Sequence, residues 1–331
     1  MNIKYNLFIV RSPLQLLNAI EAKEHFNTQN NILVLYYGIR GKNSEQMDAL
    51  VDESEWSNIV VYEHGEVGKL SKILTQVSLV KKLSKYDCKY IFSGEYGTVN
   101  LLILANTNHE EHYLVDDGIT TLHLYEISNP NIHKDYTLKR KLKILRYALF
   151  GLKVKMQKLT NFFTIYDLVP YSNQKIVQNK YSALKAKYLK DIEQDNKLYF
   201  LGQHIVQRKL MDDATYVKYI QKIIKHYNKI IIYIPHRTET ISDELNALFN
   251  DRFILQPSTA PVEIAFLLNN TYPKHIASFY TSALFTLDKI FGDAQIDSIY
   301  INPDDLLKQD NVIVGSYKFL ENTEIKRVFL D

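Results

Sequence analysis

The chain has 331 residues, 46% hydrophobic and 23% charged, and a formal net charge of +3. This composition excludes a disordered protein, the length suits two domains better than one core, and so small a net charge is no nucleic-acid signature in itself. A single cysteine, Cys88, excludes a disulfide framework and a cysteine-rich metal site, and no apolar run reaches the ~18 residues of a membrane span, so a soluble, cytoplasmic protein is expected.

Asn6 to Val10 (NLFIV) reads as a buried strand. Ser12-Pro13 then opens a helix, because Ser is a preferred N-cap and Pro fits the first helical position. Strands follow at Asn31–Tyr37, Asn58–Glu63 and Lys89–Gly94. The helices between them are expected at Asn43–Trp56, Val67–Tyr86 and after Gly94. Glu111 to Val115 is a further strand, and it runs into Asp116-Asp117-Gly118. Strands alternating with helices imply βαβ units and a mainly parallel sheet.

Thr137 to Leu159 breaks that rhythm. Eight Lys and Arg residues interleave with leucines and other apolar residues at helical spacing, giving one basic and one apolar face. Such a helix packs on its own domain, lies on an anionic membrane surface, or joins two subunits as a homodimer. Asn161–Asp167 closes the first half as a strand, and Leu168–Asn173 is the expected linker. This places the domains at 1–170 and 171–331.

The alternation restarts after a lysine-rich helix. Strands are expected at Lys197–Gly202, Lys229–Pro235, Phe253–Gln256, His275–Tyr280 and Gln295–Asn302. Helices are expected at Ala214–Asn228, Thr240–Asp251, Pro261–Asn270 and Ser282–Phe291.

Chemistry-bearing residues fall at the C-terminal ends of these strands, where open α/β sheets bind ligands. His236 and Arg237 follow Pro235 and can donate to a phosphate. Thr281 and Ser282 stand at a helix start, which suits an anion or plain N-capping. Glu263 stands in a first helical turn, which suits the helix dipole or a ribose diol. Asp116 and Asp117 offer carboxylates at the matching end of the first half, unless they are only a turn. Two such rims facing a central cleft, one with anion-binding donors and one with carboxylates, suit transfer from a nucleotide donor to a hydroxyl. There is no P-loop, no GxGxxG after a strand, no HExxH and no His/Cys/Asp set with metal-ligand spacing.

The ordered set Arg11-Ser12-Pro13-Leu14-Gln15-Leu16-Leu17-Asn18-Ala19, Asp116-Asp117-Gly118, Phe200-Leu201-Gly202-Gln203, Pro235-His236 and Thr281-Ser282-Ala283-Leu284 resembles the bacterial sialyltransferases of glycosyltransferase family 52. It also resembles the related polysialyltransferases with D/E-D/E-G, H-P and S/T motifs. In those relatives the histidine precedes the proline, whereas here Pro235 comes first. The resemblance implies a GT-B fold of two Rossmann-like domains. It implies inverting, metal-independent transfer of sialic acid from CMP-sialic acid to a sugar hydroxyl, with a galactoside of lipooligosaccharide or capsule as the acceptor.

In that scheme Asp116, the first acid, is the general base, with Asp117 as the other candidate. His236 stabilises the leaving CMP phosphate or serves as its general acid, with Arg237 beside it. Thr281 and Ser282 hold the phosphate, Glu263 holds the ribose, and Gly202 and Gln203 line the donor site. Ser12, Gln15, Glu95 and Tyr96, at the ends of the first and fourth strands, are expected on the acceptor side. No cofactor, metal or nucleic-acid partner is expected, and the basic stretch would dock the enzyme at the inner face of the cytoplasmic membrane. A CMP-Kdo or other sugar-nucleotide transferase, and a non-catalytic glycan-binding relative, are the alternatives.

Overall fold

The apolar run after Lys4 becomes the centre of a parallel sheet in the computed structural model, which describes residues 3–129, 138–155, 160–190, 192–258, 260–308, 310–321 and 323–330. In chain order the elements of the first half are β1 (Tyr5–Val10), α1 (Pro13–His25), β2 (Asn31–Gly38), α2 (Lys42–Asp48), β3 (Asn58–Glu63), α3 (Lys69–Leu83), β4 (Asp87–Ser93), α4 (Thr98–Asn106), β5 (Asn108–Val115), α5 (Thr120–Ser128), α6 (Leu138–Leu145), β6 (Asn161–Thr164) and β7 (Ile176–Gln178). The strands form one sheet in the order β3-β2-β1-β4-β5-β6-β7, and every pairing in it is parallel.

The continuous hydrophobicity of β1 follows from burial on both faces. Leu7 and Ile9 pack with Ile32, Val34 and Val60 under residues of α3 and α4 such as Val80 and Leu102. Phe8 and Val10 point the other way, onto Leu33, Leu35, Phe92 and Tyr113 and against Leu16 and Ala19 of α1. Each fully buried Leu, Ile or Phe contributes about 1.5–3 kcal/mol, so this strand anchors whatever its end carries. Ser12 caps α1 by accepting the Gln15 N–H, with Pro13 at the first position.

Four expectations change. The chain divides into compact units at Met1–Ala183 and Leu184–Asp331, not near residue 170. The expected linker belongs to the first unit: Tyr125 stacks on Tyr171 and its hydroxyl donates to the Val169 carbonyl, and β7 then pairs with β6. A three-residue strand is too short to show a period in the sequence. The basic stretch is not one helix: α6 ends at Leu145 and a 3-10 turn covers Arg146–Phe150. Thr137 and residues 156–159 of that stretch lie outside the described residues. The helix expected over Asn43–Trp56 ends at Asp48.

The second unit repeats the plan. Its elements are α7 (Ser182–Tyr188, which begins just before the boundary), β8 (Glu193–Leu201), α8 (Asp213–His226), β9 (Ile231–Ile234), α9 (Asp243–Asn246), β10 (Phe253–Leu255), α10 (Val262–Leu268), β11 (Thr271–Ser278), α11 (Ala283–Ile290), β12 (Gln295–Ile299), α12 (Asn311–Leu320) and β13 (Lys326–Val328). The sheet order is β10-β9-β8-β11-β12-β13, again all parallel. The helix expected at Thr240–Asp251 shrinks to the single turn of α9.

The C-terminal pair α12 and β13 was not expected. Val312, Ile313 and Val314 favour a strand by propensity, but Ile313, Ser316, Tyr317 and Leu320 are buried at helical spacing. The Tyr317 hydroxyl donates to the Ile299 carbonyl and ties the helix to the end of β12.

In each unit the first strand is central and the chain reverses direction across the sheet beside it, between β1 and β4 and between β8 and β11. These are the switch points where such sheets open a crevice at their C-terminal strand ends.

Candidate active site

In the first unit, β1 delivers Ser12 and Gln15, β4 delivers Glu95, and β5 delivers Asp116-Asp117-Gly118. Gly118 has φ +60°, so it turns the chain off the strand in a conformation that costs other residues steric strain.

The two acids differ sharply. Asp116 is 1% exposed. Its Oδ1 accepts the Thr164 hydroxyl at 2.6 Å and its Oδ2 accepts the Ile165 N–H at 2.7 Å. Its backbone carbonyl accepts from the Asn18 side chain. This carboxyl fastens β5 to the end of β6. Burial pushes it up to about 7, against the hydrogen bonds from Thr164 and Ile165.

Asp117 is half-buried. Its Oδ1 accepts the Ser12 hydroxyl at 3.3 Å, Gln15 also hydrogen-bonds it, and its own N–H donates to the Thr121 hydroxyl. Burial holds its carboxyl above the usual range. The Glu95 charge adds to that, and Gln15, Ser12 and Arg11 oppose it. The second acid, rather than the first, therefore has the geometry of a group held ready at a rim.

Around Asp117, Gln15 is buried, with its Oε1 accepting the Arg11 N–H. Arg11 pairs with Glu95 at 2.7 Å and lies over the Tyr36 ring. The ring of Tyr96 meets His112 edge-on and packs into the core. A polar pocket of about 270 Å³ lies at the opposite end of β5, lined by His109, Glu111, His112 and Lys175. That is the strand end at which such sheets do not bind ligands.

In the second unit, the expected residues stand just after β8, β9 and β11 and in the first turn of α10. Gly202 N–H donates to the Ile234 carbonyl. A Cβ there would lie 2.4 Å from Glu239 Oε2 and 2.5 Å from the Tyr233 hydroxyl, so only glycine fits. Gln203 Oε1 accepts the Tyr280 N–H, tying β8 to the end of β11. Thr281 Oγ1 accepts the Ala283 N–H and so caps α11, whereas Ser282 makes no side-chain cap bond. Glu263 is buried in the first turn of α10. Burial raises its carboxyl, and Arg237's charge opposes the rise. His236 is half-buried, with its N–H donating to Glu239 Oε2 at 2.8 Å.

Three residues here were not singled out by sequence. Glu239 accepts from the Tyr216 hydroxyl at 3.0 Å and also from the Tyr233 hydroxyl, and so fixes the His236 loop. His204 stacks on His236. Arg208 pairs with Asp310 and hydrogen-bonds Tyr280. Glu239 and His204 are each one residue in a loop, and only the fold reveals what they face. Among the described residues no group of three or more His, Cys, Asp or Glu side chains could hold a metal ion. No helix among them is long and apolar enough to cross a membrane.

No family model matches the chain, and no curated relative does. Solved structures do. A sialyltransferase from Photobacterium damselae, resolved over its GT-B domain, is 14% identical with a TM-score of 0.53, covering 99% of this chain and 100% of that one. A putative UDP-N-acetylglucosamine 2-epimerase from Listeria monocytogenes is 10% identical with a TM-score of 0.59, covering 97% and 89%. An Arabidopsis thaliana protein complexed with UDP-L-rhamnose is 10% identical with a TM-score of 0.55, covering 99% and 85%. With its two Rossmann-like parallel-sheet units, the chain has the GT-B fold.

Proposed function

We propose that the protein is a glycosyltransferase that moves sialic acid from CMP-sialic acid to a sugar hydroxyl, with inversion and without a metal. The observation that carries the reading is the half-buried Asp117, held by Ser12 and Gln15 at the end of β5 with its pKa raised. A carboxylate so tuned is suited to general-base work. The likeness of the motif set to family 52 supplies the donor, and the fold shared with the Photobacterium damselae sialyltransferase is compatible with it.

In this reading Asp117 takes the acceptor proton as the acceptor oxygen bonds to the anomeric carbon. The bond from that carbon to the CMP phosphate oxygen breaks on the opposite face. The second unit holds the nucleotide: His236, Thr281 and Ser282 donate to the phosphate, Glu263 takes the ribose, and Gly202 and Gln203 line the donor site. Donors aimed at a charged leaving phosphate stabilise the transition state as its charge develops.

The acceptor is read as a galactoside of lipooligosaccharide or capsule. Leu142, Leu145 and Leu149 are exposed beside Lys143, Lys153 and Lys155, which supports contact with an anionic membrane carrying that acceptor. The test is incubation with CMP-sialic acid and a panel of galactosides, with the product linkage read by NMR. A sialylated product supports the reading, and no product with any galactoside contradicts the acceptor assignment.

A further inference from the structure

His204 follows Gly202-Gln203 at the end of β8, beside β9, whose end carries His236. The two imidazole rings lie face to face, with centroids 4.2 Å apart and planes 24° from parallel. At the edge of the His236 ring the backbone N–H of Thr238 donates to Nδ1 at 3.2 Å, and the Thr238 hydroxyl lies 2.9 Å from the same nitrogen. A nitrogen that accepts an N–H carries no proton, so in neutral His236 the proton is on Nε2. Glu239 fixes the backbone beneath the ring through the His236 N–H.

We propose that His204 is a positioning residue for His236: its ring closes one face while Thr238 holds the edge, so that His236 presents Nε2–H to a phosphate oxygen as a neutral hydrogen-bond donor. The inference rests on reading this rim as the nucleotide-phosphate site. It assigns His236 no proton transfer. As the bond from the anomeric carbon to the phosphate oxygen breaks, the electron pair stays on the phosphate, and Nε2–H shares its proton without giving it up.

The charged groups around the pair agree with that assignment. His204 and Arg208 come from the loop after β8, and Arg237 and Glu239 from the loop after β9. Glu263 comes from α10 and acts on Arg237. Burial, then His204, then Arg237 push His236 down to about 4. Burial, then Arg208 and Arg237, push His204 down as well. The Glu239 carboxylate is engaged by Tyr216, Tyr233 and the His236 backbone N–H. Protonating either ring would add a cation against an imidazole and an arginine.

The test is 15N NMR of the histidine side chains in the full chain, for wild type, His204→Ala and His204→Phe, with CMP binding measured by calorimetry. Wild type should show His236 as the Nε2–H tautomer, neutral through pH 6. His204→Ala should mix the tautomers, move the His236 titration upward and weaken CMP about tenfold, the loss of one hydrogen bond to a charged group. His204→Phe, which keeps a ring on that face, should retain the tautomer and most of the CMP affinity. An unchanged His236 spectrum in His204→Ala overturns the proposal. So does a folded His204→Phe that loses CMP as fully as Ala, because the imidazole itself would then be needed. A wild type with the stated spectra that binds no CMP overturns the phosphate-site reading alone and leaves the histidine relationship standing.

Discussion

The hydroxyl of Ser12 donates to Oδ1 of Asp117 across 3.3 Å, joining the first turn of α1 to the end of β5. One residue earlier, Asp116 turns the other way and has both oxygens occupied by Thr164 and Ile165. Neighbours on an extended chain point to opposite sides, so one acid becomes a fastener and the other stands at the rim. Asp117→Asn keeps the shape and removes the proposed base. Turnover should fall by roughly 10²–10⁴-fold, with the unfolding midpoint within a few degrees of wild type; steady-state kinetics and thermal denaturation together check this.

The pH profile should carry the mark of Glu95. As the proposed base Asp117 must be ionised, so kcat/KM should fall as pH drops through its raised pKa. Glu95 is among the causes that raise it, after burial, while Arg11 lowers it. Glu95→Gln removes the raising charge and releases Arg11 from its ion pair. Both changes move the acid limb of kcat/KM to lower pH. An acid limb that stays put or moves up would detach Glu95 from the base.

Asp116 should instead govern stability. Its carboxyl is raised by burial to about 7, against about 3.9 in an unfolded chain. Below pH ~4 both states hold the proton. Between ~4 and about 7 only the folded state keeps it, so its contribution to stability is lost as pH rises through that window. Asp116→Asn lacks this titration, so urea denaturation from pH 4 to 7.5 should show a flatter dependence than wild type, by a few kcal/mol at most. Its turnover should suffer far less than that of Asp117→Asn.

Much of this was legible in the sequence, for identifiable reasons. The strand–helix alternation and the positions of Asp116-Asp117, His236 and Thr281-Ser282 follow from apolar runs that end in polar residues. Ser12-Pro13 encodes its own cap. What was hidden depends on partners distant in sequence. The choice between Asp116 and Asp117 needs Thr164 and Ile165, nearly fifty residues on. His204 matters only because β8 and β9 are adjacent. β7 is too short to announce itself, and α12 overrides the strand propensity of its β-branched residues by burying a helical face.

The exposed leucines of the basic segment make a separate claim. Leu142 and Leu145 are each 57% exposed and Leu149 is 86% exposed, while Ile144 and Tyr147 between them are buried. Replacing the three leucines by Ser should reduce binding to phosphatidylserine-containing vesicles at least tenfold, since each buried leucine contributes on the order of 1.5 kcal/mol or more. Binding to neutral vesicles should be weak for both proteins, because each Lys near an anionic surface adds about 1 kcal/mol. Sedimentation with the two vesicle types reads both.

The most direct measurement of the central claim is release of CMP, with donors offered one at a time in the presence of lactose-type acceptors, for wild type and Asp117→Asn. The account predicts acceptor-dependent CMP release from CMP-sialic acid by wild type, more than from CMP-Kdo, and near-complete loss in Asp117→Asn. A wild type inert towards CMP-sialic acid, or an Asp117→Asn variant as active as wild type, would contradict it.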